Sequence, residues 1–323
     1  MTYLVTGCAG FIGWKVCERL ASEGHTVVGV DNLNTAYDVR LKQWRLARLQ
    51  SARGFSFRQL DIGDREALPG AISRDSVDAV INLAARAGVR QSVEDPWVYV
   101  ATNITGTLNL LELCRTRGVK KFVLASTSSV YGSDTPRPYR EDAATDHPLS
   151  PYAASKKGAE VLAYTYHALY GIDVTVLRYF TVYGPAGRPD MSLFRFVKWV
   201  AEGDPVIVYG DGTQERDFTY VDDIAAGTVA ALKPLGFEVI NLGSDHPIVL
   251  NDALRLVEEL VGAKARVVHR PRHEADVQAT WADITRARTL LGWSPRYEFR
   301  DGVTQLVSWY LENRTWALEI STG

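Results

Sequence analysis

The hydrophobic pattern changes character near residue 180. Before that point, short apolar runs rich in β-branched residues alternate with longer stretches whose apolar positions recur every three to four residues. The short runs, bounded by turn signals, predict buried strands at residues 2–5, 26–30, 55–60, 79–83, 121–125 and 174–178. The helical period predicts helices over 11–23, 38–53, 64–73, 96–117 and 151–170. Such alternation argues an α/β class, with a doubly wound parallel sheet covered by helices on both faces. Its ligand crevice then lies outside the carboxyl ends of the strands. Asp31, Asp61, Ala84, Ser126, Thr127 and Tyr179 all fall at those ends.

From about residue 180 the alternation breaks. A proline- and glycine-rich loop at 183–190 leads to a predicted helix at 193–203, a strand at 205–209 and a helix at 222–232. Residues 246–323 add a helix at 251–261, a strand at 266–269 and two helices near 284–291 and 299–313. The expectation is a smaller, mixed α/β lid built from two separate segments.

Composition removes several classes of function. The 323 residues carry a net charge near −2, and there is no long basic run. Binding to nucleic acid or an anionic membrane through a cationic face is therefore disfavoured. Cys8, Cys17 and Cys114 lack paired or metal-type spacing, and the six histidines form no metalloprotease-like pattern, so no catalytic metal is expected. A first strand beginning at residue 2 leaves no room for a signal peptide, and no apolar run is long enough to span a bilayer. A reduced, cytoplasmic protein is expected.

The chemistry begins at the first strand, which runs directly into glycines at Gly7, Gly10 and Gly13, with Phe11 and Ile12 between them. Strand, glycines and helix in that order form a dinucleotide-binding Rossmann fingerprint, in which the helix N-terminus faces a pyrophosphate. Asp31 ends the second strand, where a carboxylate accepts bonds from the adenosine ribose and repels an extra phosphate. The cofactor expected is NAD. Tyr152 and Lys156 then stand one helical turn apart. A free tyrosine titrates at about 10, too high for a base in neutral water. A neighbouring ammonium would bring that value down. Thr127 and Ser128, at the end of the fifth strand, add hydroxyls that could share the same substrate oxygen.

Glycine fingerprint, hydroxyl cluster and Tyr-x-x-x-Lys together resemble the extended short-chain dehydrogenase/reductase family over almost the entire chain. In detail the chain is most similar to the nucleotide-sugar 4-epimerases of that family, through Asp31-Asn-Leu-Asn34, Ala87-Gly-Val-Arg-Gln-Ser92, Phe180-Thr-Val-Tyr-Gly-Pro185 and Arg188-Pro-Asp-Met191. The resemblance implies an NAD-binding Rossmann domain of residues 1–178 plus about 217–243, and a nucleotide-sugar-binding domain of about 179–216 and 244–323. It adds Asn32, Asp61, Ile62, Leu83, Ala84, Ala85 and Asn103 to the cofactor contacts. Tyr152 would deprotonate the sugar 4-hydroxyl during transient oxidation at carbon 4, beside the cofactor, with Lys156 lowering its pKa and bonding the nicotinamide ribose, and Thr127 sharing the oxygen. Dehydratases and decarboxylases of the family carry an acid just after the hydroxyl, whereas this chain has Ser128 and Ser129. Simple epimerisation is favoured.

Substrate choice rests on Thr181 and Arg188. A hydroxyl and a guanidinium across one turn could grip a sugar carboxylate, which points to UDP-glucuronate. UDP-glucose or UDP-N-acetylglucosamine is the alternative. Arg216 is expected at the diphosphate, Tyr209 on uracil, Asp276 at the uridine ribose, and Arg90 beside the substrate. His273 stands where UDP-glucose epimerases have arginine, which leaves one phosphate contact open. The helices at 96–117 and 151–170 imply a homodimer through a four-helix interface.

Overall fold

The computed structural model describes residues 1–71, 77–272 and 276–322. Its described strands, in chain order, are β1 (Thr2–Thr6), β2 (Thr26–Asp31), β3 (Phe55–Gln59), β4 (Ala79–Asn82), β5 (Lys121–Thr127), β6 (Asp173–Tyr179), β7 (Thr181–Tyr183), β8 (Pro205–Tyr209), β9 (Glu215–Tyr220), β10 (Phe237–Leu242), β11 (Pro247–Val249) and β12 (Arg266–Arg270). A seven-stranded sheet of order β10-β6-β5-β4-β1-β2-β3 is parallel throughout. Strand order reverses at β1, so the crevice opens where β1 and β4 diverge toward their helices.

The sheet is buried on both faces. Leu4, Val80, Phe122 and Leu124 pack into one apolar core, and their neighbours Val5, Ile81 and Val123 pack into the other. A two-residue period with apolar side chains on both faces gives near-continuous hydrophobic strands. Every residue of β5 is buried. β10 is an addition to the predicted strands. The chain leaves the sheet after β6 and returns to pair Phe237–Leu242 with β6.

Beyond the large sheet the chain forms a three-stranded sheet, β11-β9-β7, and the parallel pair β12-β8. Helices Ser192–Glu202, Leu250–Val261 and Phe299–Glu312 pack on one another beside them. Two predicted helices change form. The segment 64–73 shows only a 3-10 turn at Leu68–Ala71 before the described residues stop, and 284–291 is wound as a π-helix over Ala287–Leu291. The predicted helix 96–117 is continuous but has a wide π segment at Val100–Thr105, between Pro96–Tyr99 and Gly106–Arg117.

Candidate active site

At the carboxyl ends of the strands lies a cavity of about 900 Å³, near the upper end for small-molecule sites (roughly 300–1,000 Å³). One end is made of backbone. Gly7 follows β1 with φ +70, and a Cβ there would come within 2.7 Å of the Ala84 nitrogen. A Cβ on Gly13 would sit 2.0 Å from the Gly7 oxygen. Neither position tolerates a side chain, so the loop and the uncapped start of the helix Phe11–Ser22 stay bare. This is a cradle for a phosphate group, with N–H groups and the positive end of the helix dipole directed into it.

Asp31 lies at the rim, its Oδ1 accepting from the Leu33 nitrogen at 2.8 Å and standing 3.7 Å from Lys42 Nζ. Asp61 accepts from the Gly63 nitrogen and from Asn32 Nδ2, both at 2.7 Å. Phe11, Ile12, Ile62, Leu83, Ala84 and Ala85 line the same space. Asn103 does not line it. Its amide is buried in the π segment, bonding the backbone N–H and C=O of Arg86 at 2.9 and 3.0 Å and Ser155 Oγ at 2.9 Å. A contact expected to touch cofactor instead ties the loop after β4 to the helix Pro151–Tyr170.

That helix is set by its ends. Ser150 caps it by accepting from the Ala153 nitrogen, Pro151 occupies the first turn, and Gly171 closes it in the left-handed conformation. Tyr152 therefore sits in the first turn, edge-on to Tyr99 at 6.1 Å between ring centroids. Thr127 stands beside its hydroxyl. Thr127 in turn accepts from the Ser129 nitrogen at 3.1 Å, starting the short turn Ser128–Tyr131. Lys156 Nζ donates to the Ala125 carbonyl at 2.8 Å.

Burial holds the Tyr152 hydroxyl above its ordinary value, and the groups pulling it down are Thr127 and the Arg188 guanidinium. Lys156 is not among them; its Nζ is engaged by the Ala125 carbonyl. Burial instead pushes Lys156 itself down to about 8, opposed by Glu160.

The far end of the cavity is made of paired charges. Arg90 donates to Asp276 at 2.5 Å while its guanidinium lies 3.9 Å over the Tyr209 ring. Arg216 donates to the Glu215 and Gln278 carbonyls at 2.8 and 3.3 Å. Arg188 forks onto Asp190 at 3.0 and 2.6 Å and reaches the Ala87 carbonyl at 3.2 Å, while Thr181 and Ser128 line the wall nearby. Asp276 and Arg188 thus already hold partners within the chain. His273 lies outside the described residues.

Several lining residues escaped the sequence reading. Arg195 donates to the Thr322 carbonyl at 2.9 and 2.6 Å, and Tyr37, Lys42, Arg86, Tyr99 and Asp190 complete the wall. A cation inside the otherwise apolar run Leu193–Val197 was a readable signal for Arg195; Tyr99 and Lys42 had none.

Comparison with known proteins agrees with this geometry. A sequence model of the NAD dependent epimerase/dehydratase family matches residues 3–243. The UDP-glucuronate 4-epimerase of Thermodesulfobacterium geofontis is 59% identical over 312 residues, covering 96% of each chain. The crystal structure of Bacillus cereus UDP-glucuronic acid 4-epimerase in complex with UDP-glucuronic acid and NAD superposes with a TM-score of 0.90 at 38% identity, covering 97% of this chain and 100% of that one. Thermotoga maritima UDP-glucose 4-epimerase with UDP-glucose gives the same TM-score at 33% identity, covering 97% and 100%. On the strength of that match and of relatives aligned along nearly their whole length, this chain belongs to the NAD dependent epimerase/dehydratase family, within the extended short-chain dehydrogenase/reductases.

Proposed function

We propose that the chain is an NAD-dependent UDP-glucuronate 4-epimerase, interconverting UDP-glucuronate and UDP-galacturonate. The observation that carries this reading is the meeting of Tyr152, Thr127 and Lys156 with the glycine cradle in one cavity that also holds Arg188 and Arg216. The bare backbone at Gly7 and Gly13 fits NAD, with Asp31 and Asp61 at its adenosine end and Ala84, Ala85 and Lys156 at its nicotinamide end. Bound there, NAD supplies reversible hydride chemistry at sugar carbon 4. Tyr152 takes and returns the proton of the 4-hydroxyl, and Thr127 beside it would bond the same oxygen. Arg188 supplies positive charge that favours the phenolate when the proton moves.

At the other end, Arg90, Tyr209, Arg216 and Asp276 form a group suited to a uridine diphosphate, with Tyr209 offering a stacking face and the guanidiniums offering charge. Thr181, Ser128 and the free edge of Arg188 would take the sugar carboxylate. Holding that group still matters, because oxidation at carbon 4 makes a β-keto acid prone to lose carbon dioxide. One observation favours a neutral UDP-hexose as the second reading: Asp190 already occupies the bidentate edge of Arg188.

We read residues 1–178 with about 217–243 as the NAD-binding domain, and about 179–216 with 244–323 as the sugar-nucleotide domain. A homodimer is proposed through the helices at 96–117 and 151–170, on which Trp97, Val100, Val161 and Tyr164 are exposed apolar side chains, with Trp97 80% exposed. Such a surface on two adjacent helices is suited to a second copy of the chain. The free, buried cysteines support a cytoplasmic setting. The deciding experiment incubates the purified protein with UDP-glucuronate, without added NAD, and follows products by NMR. UDP-galacturonate is expected; turnover of UDP-glucose alone would transfer the chain to the second reading.

A further inference from the structure

Three successive residues of β5 hold three residues on one face of the helix Pro151–Tyr170. The Ala125 carbonyl accepts from Lys156, the Ser126 hydroxyl donates to Glu160 Oε1 at 2.5 Å, and the Thr127 hydroxyl stands beside that of Tyr152. Tyr152, Lys156 and Glu160 follow one another at four-residue spacing, one turn each. The outer two strand contacts belong to the chemistry proposed above. The middle one ends on a carboxylate that does not line the cavity.

Glu160 is buried, and Arg178 forks onto it at 3.0 and 2.9 Å. Arg178 belongs to β6 and pairs in register with Ser126. Glu160 therefore joins β5, β6 and the helix at the level of the reacting hydroxyls. A buried ion pair is an expensive way to join them, since apolar residues of similar volume often do so at equal or better stability. What an apolar pair cannot provide is an acceptor for Ser126 and a negative charge one turn from Lys156.

We propose that Glu160 is a positioning residue for the epimerisation, fixing the end of β5 through Ser126 and supplying the counter-charge to Lys156. This rests on the roles given to Tyr152, Thr127 and Lys156 in the proposed function. Burial works against the Lys156 cation, and Glu160 is the group that opposes it. Facing this pair are Tyr152 and Lys157 on the same helix, with Lys157 3.8 Å from Glu160. Arg178 faces it from β6, Tyr131 lies under the Arg178 guanidinium at 4.9 Å, and Glu141 offers its carbonyl to Arg178 at 3.3 Å. Tyr99 and Arg188 stand on the Tyr152 side.

The test uses Glu160→Gln and Ser126→Ala in the full chain. The Lys156 titration is read by NMR of 13C-lysine-labelled protein, assigned with Lys156→Met, and kcat against pH is measured with UDP-glucuronate. Glu160→Gln is expected to lower the Lys156 midpoint and the alkaline limb of kcat by about one pH unit. Ser126→Ala is expected to keep the midpoint, the fold and the bound NAD while kcat falls about tenfold. If stranding Arg178 prevents folding, Glu160→Gln with Arg178→Gln replaces the single variant, and the midpoint is expected to fall by less, because a cation leaves with the carboxylate. An unmoved midpoint, or Ser126→Ala with full kcat, overturns the inference. Wild-type protein inert toward UDP-sugars would instead count against the epimerase reading, and the NMR midpoint would still decide the link between Glu160 and Lys156.

Discussion

The two ends of the cavity are built from different materials. The dinucleotide end is main chain, where Gly7 and Gly13 leave no room for a single added carbon. The sugar-nucleotide end is side chain, where Arg90 and Arg188 are held by Asp276 and Asp190. A main-chain site is formed once by folding and changes little on binding. An ion-paired site keeps its guanidiniums oriented and charged while empty, and a ligand anion must compete with a carboxylate for each of them. The first end suits a cofactor that stays; the second suits substrates that come and go.

Substitutions can break this contrast or sharpen it. The largest expected effect lies where the two ends meet: Tyr152→Phe should cut turnover about 10³-fold or more while retaining NAD, read by product formation and by absorbance of the released cofactor. Substantial residual turnover would remove Tyr152 from its role. At the main-chain end, Gly13→Ala forces the helix away from the Gly7 carbonyl, and a loss on the order of 3 kcal/mol is expected, with depletion of bound NAD. A thermal melt and a cofactor assay check it, and a wild-type melt with full NAD content would show that the cradle yields.

At the side-chain end, Arg188→Ala should raise KM for UDP-glucuronate about tenfold or more while changing that for UDP-glucose little, or should release carbon dioxide. Equal losses on both substrates would refute the carboxylate grip. The smallest effect concerns stability. Lys156 has a folded value of about 8 against an unfolded one of about 10.5, so the unfolded chain binds more protons between those values. Wild-type stability should therefore rise relative to Lys156→Met as pH climbs from about 8 to 10.5, by roughly 3 kcal/mol at most, and its cost is fully present below 8. Parallel stability curves for the two proteins across that range would contradict the assignment.

The contrast also marks what was legible in the sequence. Pro151–Tyr170 could be read to the residue because Ser150, Pro151 and Gly171 are local signals that no distant contact overrides. The glycine fingerprint is equally local. β10 was missed as a strand although the resemblance returned about 217–243 to the NAD-binding domain; its pairing with β6 joins segments far apart in sequence, which no local signal specifies. The sugar end divides the same way. Arg90, Tyr209, Arg216 and Asp276 were identified through resemblance, but the partner each side chain chooses depends on packing between segments far apart in sequence. Asn103 shows the limit: its residue type suited a cofactor contact, whereas the widened turn points it into the protein.

That widened turn has a bearing on length as well as on contacts. Val100–Thr105 spends one residue more than regular helical winding requires, so everything downstream is rotated by about 100°. The rotation decides which flank of Gly106–Arg117 meets the sheet, and Leu110, Leu111 and Cys114 are wholly enclosed as a result. Excising one amino acid there would swing this apolar flank into water and offer its polar flank to the interior. For this stretch, residue count is a tighter constraint than residue identity.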